Sequence, residues 1–125
     1  MMTQTILIVD DENVISDLIS QALQIQGYHN VERASNGQEG VEKYKTLLPD
    51  LVLMDIEMPV MDGYESSSKI KSFDPGAKIL VLTGNPGDSR ALRTIKEGLA
   101  LTLLQKPLSL MDLSRIVREN LPANA

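Results

Sequence analysis

Short aliphatic runs alternate along the chain with stretches whose apolar residues recur at helical spacing, the pattern of a parallel α/β sheet. The runs predict strands over residues 5–9, 30–33, 51–54, 78–82 and 101–104. The middle runs are almost wholly apolar, as strands covered by helices on both faces must be. Between the first two runs, Val14, Ile15, Leu18, Ile19, Ala22 and Leu23 fall on one helix face that stops at Gly27. Asn36 with Glu39, and Asp62 with Glu65, have the spacing of capping boxes that open later helices. A last helix runs from Ser109 through Leu113, Ile116 and Val117 to a stop before Pro122. With right-handed crossovers, these five strands and five helices predict a doubly wound, flavodoxin-like α/β fold with strand order 2-1-3-4-5.

Open sheets of this kind bind ligands beyond the carboxyl ends of their strands, so those ends are where chemistry is expected. The first strand ends in Asp10-Asp11-Glu12, the third in Asp55, the fourth in Thr83-Gly84 and the fifth in Lys106-Pro107. Singly, each has a plain structural reading: acids at a helix N-terminus, a turn residue, a β-branched strand residue, a surface lysine. The inferred strand order brings all of them to one rim. Carboxylates crowded there repel one another by roughly 4 kcal/mol per pair at about 4 Å with an effective dielectric near 20. They require a cation, and an all-oxygen, carboxylate-rich set suits Mg²⁺. The Lys106 ammonium and the Thr83 hydroxyl add a positive charge and a donor for an anion. The constellation reads as metal-assisted phosphoryl chemistry at Asp55.

Composition narrows the field further. At 125 residues the chain has the length of one domain, and it holds no Cys, so thiol catalysis, disulfides and Cys-ligated zinc are excluded. A formal charge of −5 with no Lys/Arg cluster argues against nucleic-acid binding. No apolar run is long enough to cross a bilayer and no basic-then-apolar leader opens the sequence, so a cytoplasmic location away from membranes is the expectation.

The chain resembles the receiver domain of two-component response regulators, of the chemotaxis type. The resemblance is carried by residues 6–12, Ile-Leu-Ile-Val-Asp-Asp-Glu, by residues 49–63, Pro-Asp-Leu-Val-Leu-Met-Asp-Ile-Glu-Met-Pro-Val-Met-Asp-Gly, by Thr83-Gly84 and by Lys106-Pro107. It implies a single receiver domain over residues 1–125, with its core at 5–121 and no output domain after it. It implies that Asp55 accepts a phosphoryl group from a histidine kinase or phosphotransfer protein, with Thr83 as the switch hydroxyl and Lys106 on the phosphoryl oxygens. It implies Mg²⁺ held by Asp11, Asp55 and the Glu57 backbone carbonyl, with Asp10 acting through a coordinated water. It also implies a cis Lys106-Pro107 peptide, self-catalysed transfer and loss of the phosphoryl group, and an unnamed downstream protein partner.

Two departures from the family pattern stand out. Leu103 occupies the position, three before the lysine, where receivers usually carry an aromatic, and Gly98 lies one residue further from that lysine than the pattern places it. An insertion near the fifth strand is therefore expected. Pro86 and Gly87 mark residues 85–89 as a hinge through which Thr83 would reach the outer surface.

Other readings of the same fold are a flavin or nucleotide binder, an aspartate-nucleophile phosphatase and a phosphorylation-independent interaction module. The first lacks any glycine-rich phosphate loop. The second needs a general acid two residues after the nucleophile, a spacing that Glu57 satisfies. The third is weakened by the presence of every site side chain. His29 is read as a surface residue in the turn before the second strand, and Met54, Met58 and Met61 as packing. Residues 66–68, three serines, are read as the solvated face of a helix that buries Ile70 and Phe73.

Overall fold

The computed structural model of the chain describes residues 2–121. Its elements follow in the order β1 (Met2–Val9), α1 (Asn13–Ile25), β2 (Tyr28–Ala34), α2 (Gly37–Leu47), β3 (Leu51–Asp55), α3 (Gly63–Phe73), β4 (Ile79–Thr83), α4 (Ser89–Lys96), β5 (Thr102–Gln105) and α5 (Leu110–Asn120). All four strand pairings are parallel and the sheet order is β2-β1-β3-β4-β5, the doubly wound arrangement the pattern predicts.

Two-residue alternation along the strands divides the interior into two layers. Leu7, Val9, Val52, Met54, Ile79 and Val81 pack on one face with Val41, Tyr44, Ile70 and Ala91 from α2, α3 and α4. Ile6, Ile8, Leu51, Leu53, Leu80 and Leu82 pack on the other with Ile19, Leu23, Leu113 and Val117 from α1 and α5. Every residue of β3 and β4 is buried, which is why those segments read as unbroken apolar runs.

The helix starts behave as their sequences specify. Asn36 and Asp62 accept hydrogen bonds from the Glu39 and Glu65 amides, each at 2.8 Å, and Ser109 accepts from the Asp112 amide at 3.3 Å. Helix α1 ends two residues before Gly27, whose φ of 104° carries the chain into β2.

Several details differ from the sequence expectations. β1 begins at Met2 rather than at residue 5 and β2 spans Tyr28–Ala34 rather than 30–33, while β3, β4 and β5 each end one residue later, β4 and β5 also starting one later, because Asp55 and Thr83 continue the ladder opposite Leu82 and Gln105. His29 lies within β2, exposed, rather than in the turn before it. Ser66 and Ser67 are fully buried: α3 lies against α2, and the Ser66 hydroxyl donates to the Gly37 carbonyl at 2.9 Å. Phe73 is about half exposed, at 48%, with its ring edge-on to Tyr44 at 6.4 Å and the Lys45 ammonium 5.5 Å above it.

The β4–β5 ladder pairs in continuous register after the loop that follows α4. After α4, Gly98 takes φ +71°. The Leu99 and Ala100 amides both donate to Thr94, and the Leu101 amide donates to Ile79. Thr83 consequently pairs with Gln105, and Lys106 follows at the same rim as Asp55. The Lys106-Pro107 peptide is cis. Leu103, half-buried, packs against the α2/α3 side of the core. Among the described residues, no helix is long and apolar enough to cross a membrane.

Candidate functional site

The carboxyl ends of β1, β3, β4 and β5 bring Asp10, Asp55, Thr83 and Lys106 to one rim. The loop from Ile56 to Asp62 folds back tightly enough that Gly63 donates its amide to the Ile56 carbonyl at 3.0 Å. A Cβ at Gly63 would sit 2.2 Å from the Asp55 carbonyl oxygen, so only glycine admits this approach. The first turn of α3 is thereby pinned directly beneath the backbone of Asp55.

Asp55 and Asp10 are both 1% exposed, buried at a place where two acids face each other. Lys106 reaches between them, its Nζ 3.0 Å from Asp55 Oδ1 and 3.3 Å from Asp10 Oδ2, with Glu12 Oε1 at 3.7 Å. Asp10 Oδ1 accepts from the Glu12 amide at 2.8 Å. Asp55 Oδ2 is buried without a hydrogen-bond partner. Asp10, Asp11, Glu12 and Asp55 each present a carboxylate oxygen within 4.8 Å of the others.

Electrostatics follow from that crowding. Burial, and then the charge of Asp10, push the Asp55 carboxyl up to about 7 against the hydrogen bond from Lys106. Burial likewise raises Asp10, opposed by the Glu12 amide and the Lys106 charge. Burial works against the Lys106 ammonium, yet the hydrogen bond and field of Asp55 and the field of Asp10 outweigh it and hold its pKa above the usual lysine value. One cation serving several carboxylates leaves the rim acidic.

The Thr83 hydroxyl is completely buried and lies on the far side of the rim from Asp10. It donates to Glu57 Oε1 at 2.7 Å and accepts from the Asn85 amide at 3.1 Å. The Glu57 side chain is exposed and turned toward Thr83, and it does not belong to the oxygen cluster formed by Asp10, Asp11, Glu12 and Asp55. Beyond Thr83, Asp88 caps α4, accepting from the Arg90 amide at 2.8 Å. Arg90 pairs with Asp88 at 2.9 Å and with Asp62, the cap of α3, at 3.7 Å. The Arg90 hydrogen bond is the main reason the Asp88 carboxyl lies at about 2.

Asp10, Asp11, Asp55, Thr83 and Lys106, singled out on the sequence, thus meet at one rim. Glu12 joins them as a side-chain oxygen near both the acids and Lys106, a role its exposed place in the acidic run does not announce. The engagement of Glu57 with Thr83 has no signature in the sequence at all.

A central buried acid, a cation on one of its oxygens, a cluster of carboxylates beside it and a hydroxyl at the end of the next strand define a phosphoacceptor-type rim on a doubly wound sheet. Residues 6–118 match the response regulator receiver domain, and the chain belongs to that family. It is 39% identical over 114 residues to the chemotaxis protein CheY of Halobacterium salinarum, spanning 89% of this chain and 93% of that protein. It is 33% identical over 122 residues to the sporulation initiation phosphotransferase F of Bacillus subtilis, spanning 98% and 97%. Among solved structures, a CheY-like receiver domain protein from Methanospirillum hungatei superposes with a TM-score of 0.88 at 34% identity, covering 94% of this chain and 93% of that one. The response regulator TrrA of Thermotoga maritima, solved in complex with Mg²⁺ and BeF, gives 0.84 at 33% identity, covering 95% and 100%. The chain is accordingly a signalling domain of two-component systems.

Proposed function

We propose that Asp55 is the phosphoacceptor of this receiver, that Asp11 and Asp55 with the Glu57 backbone carbonyl hold Mg²⁺, and that a histidine kinase or histidine phosphotransfer protein is the donor. The observation that carries the reading is the asymmetry of the Asp55 carboxylate. Oδ1 is held by Lys106 at 3.0 Å, while Oδ2 is buried, unpartnered and faces no donor of its own. An oxygen so placed is oriented and weakly solvated, which suits a nucleophile.

The residues fit a hard divalent cation. Four residues, Asp55 among them, each offer a carboxylate oxygen within 4.8 Å of the others, and one Asp55 oxygen is buried without a hydrogen-bond partner. When bound, Mg²⁺ would supply charge neutralisation at the acids and on the phosphoryl oxygens. In the transfer itself, Asp55 Oδ2 attacks phosphorus, the new O–P bond forms as the N–P bond of phosphohistidine breaks, and the imidazole departs with the electron pair. Lys106, released from its shared duty to Asp10, Glu12 and Asp55, pairs with the phosphoryl oxygens. Thr83 donates its hydroxyl proton to a phosphoryl oxygen, and its movement carries the state of Asp55 into residues 84–91 and so to a downstream protein partner. Loss of the group by hydrolysis, catalysed within the same domain, requires an in-line water, whose approach Glu57 and Asn85 flank.

Acetyl phosphate with Mg²⁺ tests this without a cognate kinase. Intact-protein mass spectrometry is expected to show one phosphoryl adduct on the parent and none on Asp55→Asn. Omitting Mg²⁺, or replacing Asp11 with Ala, should suppress the adduct. A full-strength adduct on Asp55→Asn would overturn the assignment, and no adduct on any form would favour a receiver-fold interaction module that works without phosphorylation.

A further inference from the structure

The Thr83 hydroxyl has one proton and two acceptors within reach, Glu57 Oε1 at 2.7 Å and the Asn85 carbonyl at 3.1 Å. The charged, closer acceptor takes it. Thr83 has no exposed surface, so that proton has no water to turn to. Glu57, in contrast, is exposed and free to be solvated elsewhere, and it nonetheless lies against Thr83. The same carboxylate already repels Asp55, and its field also reaches Arg90, whose own surroundings are dominated by Asp88 and Asp62.

We infer that the Glu57 side chain is a latch on the switch hydroxyl: it occupies, in the unphosphorylated protein, the proton that a phosphoryl group on Asp55 needs. The inference rests on Asp55 being the phosphoacceptor. Negative charge arriving at Asp55 repels Glu57, and the Arg90 cation at the start of α4 stands as its alternative partner. Release of Thr83 from Glu57 then accompanies its capture by the phosphoryl oxygen, in place of a hydroxyl that was free all along. Glu57 is thus a positioning residue that acts through Thr83 and sets the threshold for switching, separately from its backbone carbonyl.

Beryllofluoride with Mg²⁺, titrated into the parent, Glu57→Ala, Thr83→Val and the double variant, tests this, with amide NMR signals of residues 84–91 as readout. A latch of ordinary charged hydrogen-bond strength, partly offset by solvation of an exposed carboxylate, predicts about three- to tenfold tighter binding for Glu57→Ala than for the parent. In the Thr83→Val background the same substitution should produce a clearly smaller gain, that of the removed charge alone. Free Glu57→Ala should already show the 84–91 signals displaced toward their beryllofluoride-bound positions. Glu57→Gln, which retains an acceptor for the hydroxyl, should keep them at parent positions. Equal gains in both Thr83 and Val backgrounds, or a free Glu57→Ala spectrum unchanged over 84–91, would overturn the latch while leaving Asp55 as phosphoacceptor. A parent that binds no beryllofluoride would overturn the phosphoacceptor reading and the latch with it.

Discussion

The two halves of the rim are built to opposite specifications. On the side of β1 and β3, Lys106 stands alone among Asp10, Glu12 and Asp55, a buried carboxylate oxygen has no partner, and the Asp55 carboxyl lies at about 7. On the side of β4 and α4, Thr83 is paired with Glu57, Asp88 and Asp62 share Arg90, and both acids cap helices. The first half is electrostatically unsatisfied and gains from a cation. The second is satisfied already, so any signal must undo contacts that exist. On the proposed reading, the first half carries the reactivity of the domain and the second its resistance to spontaneous switching.

The comparison can be strained first at Lys106. Among the described residues its ammonium is the one cation contacting Asp55, and Lys106→Ala should slow phosphorylation by acetyl phosphate about a hundredfold, the scale of losing one charged stabilising donor. Adduct growth followed by mass spectrometry checks this. A rate within twofold of the parent would mean that the acidic half does not depend on its cation.

The next effect concerns stability. Asp55 is lifted from 3.8 to about 7, with burial as the main cause, so the folded state keeps a proton that the unfolded chain gives up. The sign follows: metal-free protein should lose stability as pH rises from about 4 to about 7, with no recovery above. Asp55→Asn carries no charge to bury and escapes that loss. It should be more stable than the parent by on the order of 1–3 kcal/mol at pH 8, an advantage that shrinks as pH falls toward 4. Thermal melts in chelator at both pH values measure it, and an equal or lower melting temperature for Asp55→Asn at pH 8 would contradict the view of this half as unsatisfied.

In the satisfied half the sign reverses. Arg90→Ala removes the cation shared by two helix caps, and a loss of about 0.5–1 kcal/mol is expected, small because the Arg90 side chain is partly exposed, at 39%. Chemical denaturation that shows a gain would contradict the assignment. The smallest effect lies in the loop between the halves. Val60 is 87% exposed and adopts φ +70°, a conformation unfavourable for a β-branched residue. Val60→Gly should raise stability by about 0.5 kcal/mol, relief of backbone strain exceeding the added freedom of the unfolded chain.

Much of this architecture was legible beforehand because it rests on strong local signals. The apolar runs of β1, β3 and β4 are readable since both faces of those strands are covered, and Asn36, Asp62 and Ser109 are caps because their oxygens meet orphan amides three residues on. Strand ends were less legible. Asp55, Thr83 and Gln105 are polar, yet they remain in the ladder because the neighbouring strand supplies backbone partners. The α2/α3 seam was misread for a related reason. Gly37 and Ser66 let the helices meet closely, and a Cβ at Gly37 would sit 2.4 Å from the Met61 carbonyl oxygen. Small polar residues there serve as packing, which hydropathy scores as a solvated face. The Glu57–Thr83 contact depends on the rotamer of an exposed side chain and leaves no periodic trace.

The assignment of Asp55 is most directly tested by locating the bond itself. After acetyl phosphate and Mg²⁺, borohydride reduction converts an aspartyl phosphate to homoserine, and peptide mapping reads the position. The structure predicts homoserine at position 55 alone. Homoserine at Asp10 or Asp11, the other acids of the same rim, or at no position while an adduct is present, would contradict it.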